Sequence, residues 1–150
     1  MSVTVQMNFD GFQRQFEIEV AAMVYQQSRI FRGEMSKLLL TSGKSPPPSA
    51  AGQVPHNLTG NLGRSWKSSK SRRDGKAYKS SVFTNVVYAA ALQFGYTPRG
   101  LAPRPNDTKA PRGLAPRPYV TKAIEKASPR MERSINVPAM VARAAARSVI

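Results

Sequence analysis

Residues able to carry out catalysis are few in this chain and widely separated. It has one histidine, His56, and no cysteine, which excludes a thiol nucleophile, a thiolate metal site and a pair of metal-binding histidines. The eight acidic residues are scattered, and the serines have no adjacent base that would activate one of them. His56 lies in a loop flanked by proline and glycine, which is typical of a surface residue. We therefore expect that the protein is not an enzyme and binds no cofactor and no metal ion.

One short segment resembles the end of a phosphate-binding loop. Gly43-Lys44-Ser45 has the glycine, the lysine and the hydroxyl in the required order. The motif also needs a glycine five residues before Gly43, where this sequence has Leu38. The segment therefore does not predict a nucleotide site. It opens a proline-rich stretch, 41–57, whose composition is that of a loop.

Positive charge is the strongest chemical signal in the sequence. The chain has 23 Lys and Arg residues against 8 Asp and Glu residues, which gives a formal net charge of +15. The two signs balance over residues 1–40, so the whole excess lies in residues 41–150. Such a one-sided charge favours a polyanionic partner, with nucleic acid as the first candidate. A basic surface that faces only solvent and one that faces an acidic protein are the alternatives.

Part of this charge is concentrated in a hairpin. Asp74-Gly75 is a strong signal for a tight turn between two strands. Basic residues crowd the segments on both sides of the turn, and we expect them to face either DNA or an acidic partner. They are Arg64, Lys67, Lys70, Arg72, Arg73, Lys76 and Lys79.

A second basic segment is the loop 96–117. The sequence Pro-Arg-Gly-Leu-Ala-Pro-Arg-Pro occurs at 98–105 and again at 111–118, and its proline and glycine content excludes regular structure. We expect a long arm that makes contacts between subunits or between rings. The residues expected to make these contacts are Arg99, Arg104, Arg112, Arg117 and Tyr119.

Hydrophobic periodicity predicts the elements at the start of the chain. Residues 2–9 alternate between apolar and polar, which predicts a strand. Apolar residues in steps of three and four then predict a long helix over 12–40, with Asp10 as its cap and Gly33 as a point where it could kink. The acidic residues of this helix fall on polar positions, and we expect them on its solvated face. They are Glu17, Glu19 and Glu34.

Further along, a strand is predicted over 66–71, and another from 76 runs into a short helix that ends at Gly95. Thr59 is expected to cap a short helical turn, and Pro118 to be the first residue of a helix. Pro129 should end that helix near Ser128, and a last helix follows from residue 137.

The predicted fold class is α+β. The long N-terminal helix packs on a small antiparallel sheet, with one or two C-terminal helices and a long loop rich in Pro, Gly and Arg. Residues 1–150 are expected to form a single domain, with loops at 41–57 and 96–117 and a C-terminal helical tail at 129–150. No apolar run approaches the ~20 residues of a membrane span, and no secretion signal is recognisable. We therefore expect a protein made in a cytoplasm.

Several motifs, taken in order, resemble those of the small neck and tail-component proteins of long-tailed bacteriophages. These proteins join head to tail or complete the tail. The motifs are Thr-Gly-Asn-Leu-Gly-Arg-Ser at 59–65, Asn-Val-Val-Tyr-Ala at 85–89 continuing to Gln-Phe-Gly at 93–95, and Arg-Pro-Tyr at 117–119. The resemblance extends from Val3 to about Ala127, and Gln93 departs from it because the family usually has glutamate there. It implies structural roles for Thr59, Gly60, Leu62, Ser65, Tyr88, Ala89, Phe94, Gly95 and Pro118.

The same resemblance implies a homo-oligomeric ring in the neck of the virion, with a hexamer favoured and a dodecamer second. The implied partners are the portal or head–tail connector, the tail terminator or tail tube proteins, and genomic DNA in the channel, with no membrane involved. The protein would be made in the bacterial host cytoplasm and located in the virion. The alternative is a basic, stand-alone nucleic-acid-binding protein, although the sequence contains no recognised module of that kind. A ribosome-associated protein is a third, less favoured interpretation.

Overall fold

Helices dominate the structure, a computed structural model that describes residues 8–43, 49–56, 59–96 and 113–148. The helices are α1 (Phe9–Thr41), α2 (Asn61–Arg64), α3 (Tyr88–Phe94), α4 (Tyr119–Ser134) and α5 (Val137–Ser148). The strands are β1 (Lys67–Ser68), β2 (Arg72–Asp74), β3 (Ala77–Lys79) and β4 (Val82–Phe83). They form two antiparallel pairs, β1 with β4 and β2 with β3. The predicted α+β class, with a long N-terminal helix packed on a small set of strands and helices at the C-terminus, is confirmed.

Helix α1 runs without interruption for 33 residues. The side-chain oxygen of Asn8 accepts a hydrogen bond from the Gly11 amide at 2.9 Å, so the N-cap is Asn8 and not Asp10 as predicted. Gly33 does not divide the helix. The predicted strand is wrong at Phe9, which is the first helical residue, and the rest of that prediction, 2–7, lies outside the described residues.

The hydrophobic core lies where the C-terminal half of α1 meets α2, α3 and α4. The hydroxyl of Tyr119, which is almost fully buried, donates a hydrogen bond to the Ala89 carbonyl at 2.8 Å. The Trp66 ring meets the Tyr119 ring edge to face, with centroids 6.3 Å apart. The buried core residues are Met35, Leu38, Leu39, Leu62, Ala89, Tyr119 and Ala123.

The hairpin at Asp74-Gly75 is confirmed. Asp74 pairs with Ala77, and Gly75 adopts the positive φ of 60° that a tight turn between strands favours. The strands themselves are shorter than predicted. Serine contacts connect the two strand pairs. The Ser81 amide donates to the Ser69 hydroxyl at 2.9 Å, and the Ser69 amide donates to the Ser81 carbonyl at 2.9 Å.

Helix α3 ends at Gly95, as predicted. Gly95 has a φ of 81°, and a Cβ there would lie 2.8 Å from the Leu114 carbonyl oxygen. The next residue, Tyr96, exchanges both backbone hydrogen bonds with Leu114, at 2.8 and 2.7 Å. Position 95 therefore requires glycine, because its φ is positive and there is no room for a Cβ. The two ends of the long loop meet at the bridge between Tyr96 and Leu114.

Helix α4 continues through Pro129, so the predicted break near Ser128 is wrong. The α4 backbone is held along α1 by Gln27, whose amide donates to the Ser134 hydroxyl at 2.7 Å and to the Met131 carbonyl at 3.3 Å. Packing on α1 thus outweighs the hydrogen bond that proline removes. The helical tail accordingly begins with α5, after Asn136, and not at residue 129.

Candidate interaction surfaces

Contrary to expectation, the three glutamates of α1 do not form a solvated face. Each of their carboxylates makes an ion pair with an arginine from a distant part of the chain. The pairs are Glu17 with Arg73 at 3.1 Å, Glu34 with Arg130 at 3.1 Å, and Glu19 with Arg143 at 2.8 Å and Arg147 at 3.0 Å. These contacts attach the hairpin, α4 and α5 to the same helix.

Glu19 is the most buried of these acids, with a side chain only 10% exposed. Arg143 donates from Nε to Oε2 at 2.8 Å, and Arg147 donates from Nη1 to Oε1 at 3.0 Å. The hydrogen bond from Arg143, followed by the charges of both arginines, lowers the pKa of Glu19 although burial opposes the shift. The spacing of the two arginines predicts that they share a face of α5, but no local signal identifies Glu19 as their partner.

The basic hairpin is only partly neutralised. Arg73 pairs with Glu17, whose carboxylate also accepts a hydrogen bond from the Tyr78 hydroxyl at 3.3 Å, and Lys79 pairs with Asp74. The other predicted cations are exposed and form no ion pair with any acid among the described residues. They are Arg64, Lys67, Lys70, Arg72 and Lys76. The hairpin therefore presents a cluster of uncompensated positive charge to its surroundings.

The predicted contact residues of the long loop are placed only at its end. Arg99, Arg104 and Arg112 lie outside the described residues. Arg117 is half-buried and donates from Nη2 to the Ser49 carbonyl at 2.9 Å, so it contacts the chain's own backbone. Tyr119 is 1% exposed and belongs to the core, where its contacts are with the chain's own residues.

The first motif, 59–65, forms the short helix α2 and its flanks. Gly60 is the N-cap residue, with a φ of 73°, and not Thr59 as predicted. The Thr59 hydroxyl accepts a hydrogen bond from the Asn61 amide at 3.4 Å. Leu62 is buried in the core. The Ser65 hydroxyl donates to the Leu62 carbonyl at 2.8 Å and lies 2.6 Å from the Thr84 hydroxyl, which joins this motif to β4.

The structure brings the three motifs together around one cleft of about 380 Å³, which we call the motif cleft. Its lining includes Thr59 and Gly60 from the first motif, Tyr88 from the second and Arg117 from the third. Residues far apart in the sequence therefore face one concave surface. Most of the lining is apolar, which suits contact with another protein surface more than with a charged ligand.

Gln93, where the family usually has glutamate, has a defined task in this chain. Pro118 occupies the N-cap position of α4, one residue before the predicted place, and cannot supply a capping side chain. The Gln93 side-chain oxygen instead accepts a hydrogen bond from the Val120 amide at 3.0 Å. Helix α3 thus caps α4, and no charge is needed for that contact.

The segment around α3 exposes several large apolar side chains, and sequence periodicity does not reveal them. Of the eleven exposed large apolar side chains among the described residues, five lie between 83 and 96. Val87 is 95% exposed and Phe94 77% exposed. We call this set the α3 surface, and its members are Phe83, Val87, Tyr88, Phe94 and Tyr96. A strand was predicted to bury part of this segment, but the chain leaves the sheet after Phe83 and turns these side chains outward.

A second apolar cleft lies on the α3 surface itself. Its volume is about 330 Å³, and it is lined by Trp66, Phe83, Phe94 and, at its inner wall, Tyr119. The Trp66 Nε1 hydrogen is buried without a partner among the described residues. A buried, unpaired N–H is unfavourable.

The described residues contain no group of three or more His, Cys, Asp or Glu side chains that could hold a metal ion. None of the helices in the described part of the chain has both the length and the apolar character needed to cross a bilayer. Comparisons with protein-family models, with curated proteins and with solved structures gave no match to this chain.

Proposed function

We propose that this protein is a structural component of the neck or tail of a tailed bacteriophage, and that copies of it assemble into a ring. The observation that carries the proposal is the α3 surface, because a monomer rarely exposes so concentrated a set of large apolar side chains. It includes Tyr88 and Phe94, which also belong to the motif that resembles the phage family. The chemical signal and the resemblance therefore fall on the same segment.

The energetics are compatible with association through this surface. Removing one exposed Val or Phe side chain from water contributes about 1.5–3 kcal/mol. The α3 surface has several such side chains on each subunit, so its burial provides a term comparable with the cost of association, about 4–15 kcal/mol. In a closed ring every subunit would bury this surface against a different surface of its neighbour.

The wider assembly follows from the same proposal. A hexamer is favoured and a dodecamer is second, located in the virion between the portal or head–tail connector and the tail terminator or tail tube proteins. The role is structural, without catalysis. The uncompensated cations of the hairpin would then face either the DNA channel or an acidic ring on one side.

The second candidate is a stand-alone nucleic-acid-binding protein, and the hairpin favours it. Five cations without an acidic partner among the described residues would bind a polyanion without any ring. Affinity of that kind falls steeply with salt, because each phosphate contact releases counterions. A ring component would instead associate with itself or with neighbouring ring proteins at moderate salt.

The test is the mass of the purified full-length protein, measured by light scattering behind a sizing column at moderate salt. We expect six or twelve times the subunit mass of 16.4 kDa, or a monomer that becomes such a ring when portal or tail proteins are added. A monomer that ignores those proteins and binds DNA in a salt-dependent way would contradict the ring and leave the second candidate.

A further inference from the structure

A groove on the solvent side of α1, beside α4, is separate from the hairpin and from the α3 surface. Its volume is about 490 Å³, and its lining includes Tyr25, Gln26, Arg29, Arg32, Gly33 and Arg130. We call it the Arg29 groove. Three guanidinium groups from two helices therefore border one open concavity.

The charge of this groove is incompletely balanced. Arg130 pairs with Glu34 at 3.1 Å, whereas Arg29 and Arg32 form no ion pair with any acid of the described residues. The Arg29 guanidinium carbon lies 5.9 Å from the centre of the Tyr25 ring, which holds the side chain beside the groove. Two uncompensated guanidinium groups thus remain available, three residues apart on one helix and so on neighbouring positions of its surface.

Gly33 is a second and independent observation at the same place. It is exposed in the interior of α1, where glycine destabilises a helix relative to alanine. A Cβ at this position would meet no atom within 4 Å, so packing within the described chain does not require its absence. Glycine permits close approach of another molecule to the backbone. We infer that Gly33 keeps the floor of the Arg29 groove open to a ligand.

The chemistry of the lining identifies the class of ligand. The planar guanidinium fork matches the oxygens of phosphate and carboxylate. An acidic protein segment would also need apolar contact, because more than half of an ordinary protein–protein interface is apolar. Slightly more than half of the lining of the Arg29 groove is polar, in contrast to the mainly apolar motif cleft. A phosphodiester backbone needs only hydrogen bonds and charge.

We propose that the Arg29 groove binds the phosphate backbone of nucleic acid. The contacts would come from Arg29 and Arg32, with Gly33 allowing the strand to lie against the helix. This site goes beyond the proposed ring and does not depend on it, since it uses no residue of the α3 surface.

The test is fluorescence anisotropy of a labelled DNA duplex with the full-length protein over a range of salt concentrations. The variant Arg29→Ala/Arg32→Ala is compared with Arg14→Ala/Lys37→Ala, which removes two exposed charges of α1 that form no ion pair within the described residues and line neither the groove nor the hairpin. We expect the groove variant to bind about tenfold more weakly at low salt and to reduce the slope of log K against log salt by about 2. Equal losses in the two variants would show a general charge effect and overturn the site.

Gly33 provides a variant whose folding is not at risk. Gly33→Ala should raise the melting temperature, because alanine favours the helix, and should weaken DNA binding, because its methyl group occupies the floor of the groove. A more stable variant that binds DNA as tightly as the parent would overturn the role of Gly33.

A competition experiment distinguishes phosphate from carboxylate. Polyglutamate and single-stranded DNA of equal total charge are each added to the preformed protein–duplex complex. We expect the DNA strand to displace the duplex at lower concentration, and the difference to shrink in the Arg29→Ala/Arg32→Ala variant. Displacement by polyglutamate at an equal or lower concentration would overturn the proposal, and either result is independent of the mass of the assembly.

Discussion

The Glu19 carboxylate accepts a hydrogen bond from the Arg143 guanidinium at 2.8 Å across 124 residues of sequence. Arg147, one turn further along α5, binds the other oxygen of the same carboxylate at 3.0 Å. The buried residues of α5 are Met140, Ala144 and Ser148, and the two arginines add polar contacts beside them. One acidic residue near the start of the chain thus adds two polar contacts to the apolar packing of the C-terminal helix.

Replacing Glu19 with glutamine should loosen α5. Glu19→Gln keeps the size of the side chain but leaves two arginines without their anion. We expect faster hydrogen exchange in the α5 amides and a lower melting temperature, while α4 amides exchange nearly as before. Glu125→Gln is the control, because Glu125 is exposed on α4 and forms no ion pair within the described residues. Equal exchange in α5 for parent and Glu19→Gln would contradict this role.

The same contact should make stability depend on acid pH. Hydrogen bonding and charge hold the pKa of Glu19 below its ordinary value of 4.5 in the folded protein. The stabilisation is therefore complete above that ordinary value and is lost as pH falls through the lower, folded-state pKa. Melting temperatures of the parent and of Glu19→Gln should thus differ near neutral pH and converge in acid. A difference that stayed constant down to low pH would show that ionisation of Glu19 does not matter.

The buried hydroxyl of Tyr119 should be important for the core. Tyr119→Phe removes the hydrogen bond to the Ala89 carbonyl and leaves that oxygen with only its partner inside helix α3. The loss of such a bond costs about 0.5–1.5 kcal/mol in the free energy of unfolding, measured by urea denaturation. Tyr88→Phe removes a hydroxyl from an exposed ring and should change the free energy of unfolding by less than about 0.5 kcal/mol. Equal effects of the two substitutions would contradict the role of the Tyr119 hydroxyl.

Burial also raises the pKa of Tyr119 to about 12, with a further contribution from the charge of Tyr88 when it ionises. Because the pKa is raised in the folded protein, the contribution of the neutral Tyr119 hydroxyl to stability is complete below the ordinary pKa of 10.0. That contribution is lost as pH rises through the folded-state pKa. We therefore expect an absorbance titration of the parent to show a tyrosine transition at the most basic pH that is missing from the Tyr119→Phe variant. Loss of a transition near the ordinary value would contradict this assignment.

Gln93 should contribute to the stability of α4 from a different helix. Gln93→Ala leaves the Val120 amide without its acceptor, which for a capping contact costs about 1 kcal/mol. Gln93→Glu introduces the residue usual in the resembled family and places a carboxylate at the start of α4, where the helix dipole favours negative charge. We expect the glutamate variant to unfold at a urea concentration at least as high as the parent. A glutamate variant as unstable as the alanine variant would show that the Val120 contact is not a cap.

The sequence predicts those parts of the structure that local rules decide. The Asp74-Gly75 turn and the end of α3 at Gly95 are confirmed, since each needs a backbone conformation that glycine adopts most easily. The long helix is confirmed because its apolar period is repeated many times. Pro129 shows the limit of a local rule, because α4 continues through it and Gln27 of α1 holds the turn that follows.

The distant contacts could not be predicted in the same way. Glu17 and Glu19 look like ordinary polar positions of a helix until their partners, Arg73 and Arg143, are placed beside them. Tyr119 follows a basic loop in the sequence, yet its ring lies in the core because α3 and Trp66 surround it. Tyr119 is more buried than its sequence context predicts, whereas the α3 surface is more exposed. Its aromatic and β-branched residues have the composition of a buried strand, so the sequence does not predict their exposure.

The proposed ring depends on the α3 surface, and two phenylalanines of equal exposure provide its most direct test. Phe94 on the α3 surface is 77% exposed and Phe9 at the start of α1 is 76% exposed, so the two substitutions remove equally accessible rings. The solution mass of Phe94→Glu and Phe9→Glu is measured by light scattering, alone and with added portal and tail proteins. We predict that Phe94→Glu stays monomeric while Phe9→Glu assembles like the parent. Assembly of both variants, or of neither variant nor parent, would contradict a ring formed through the α3 surface.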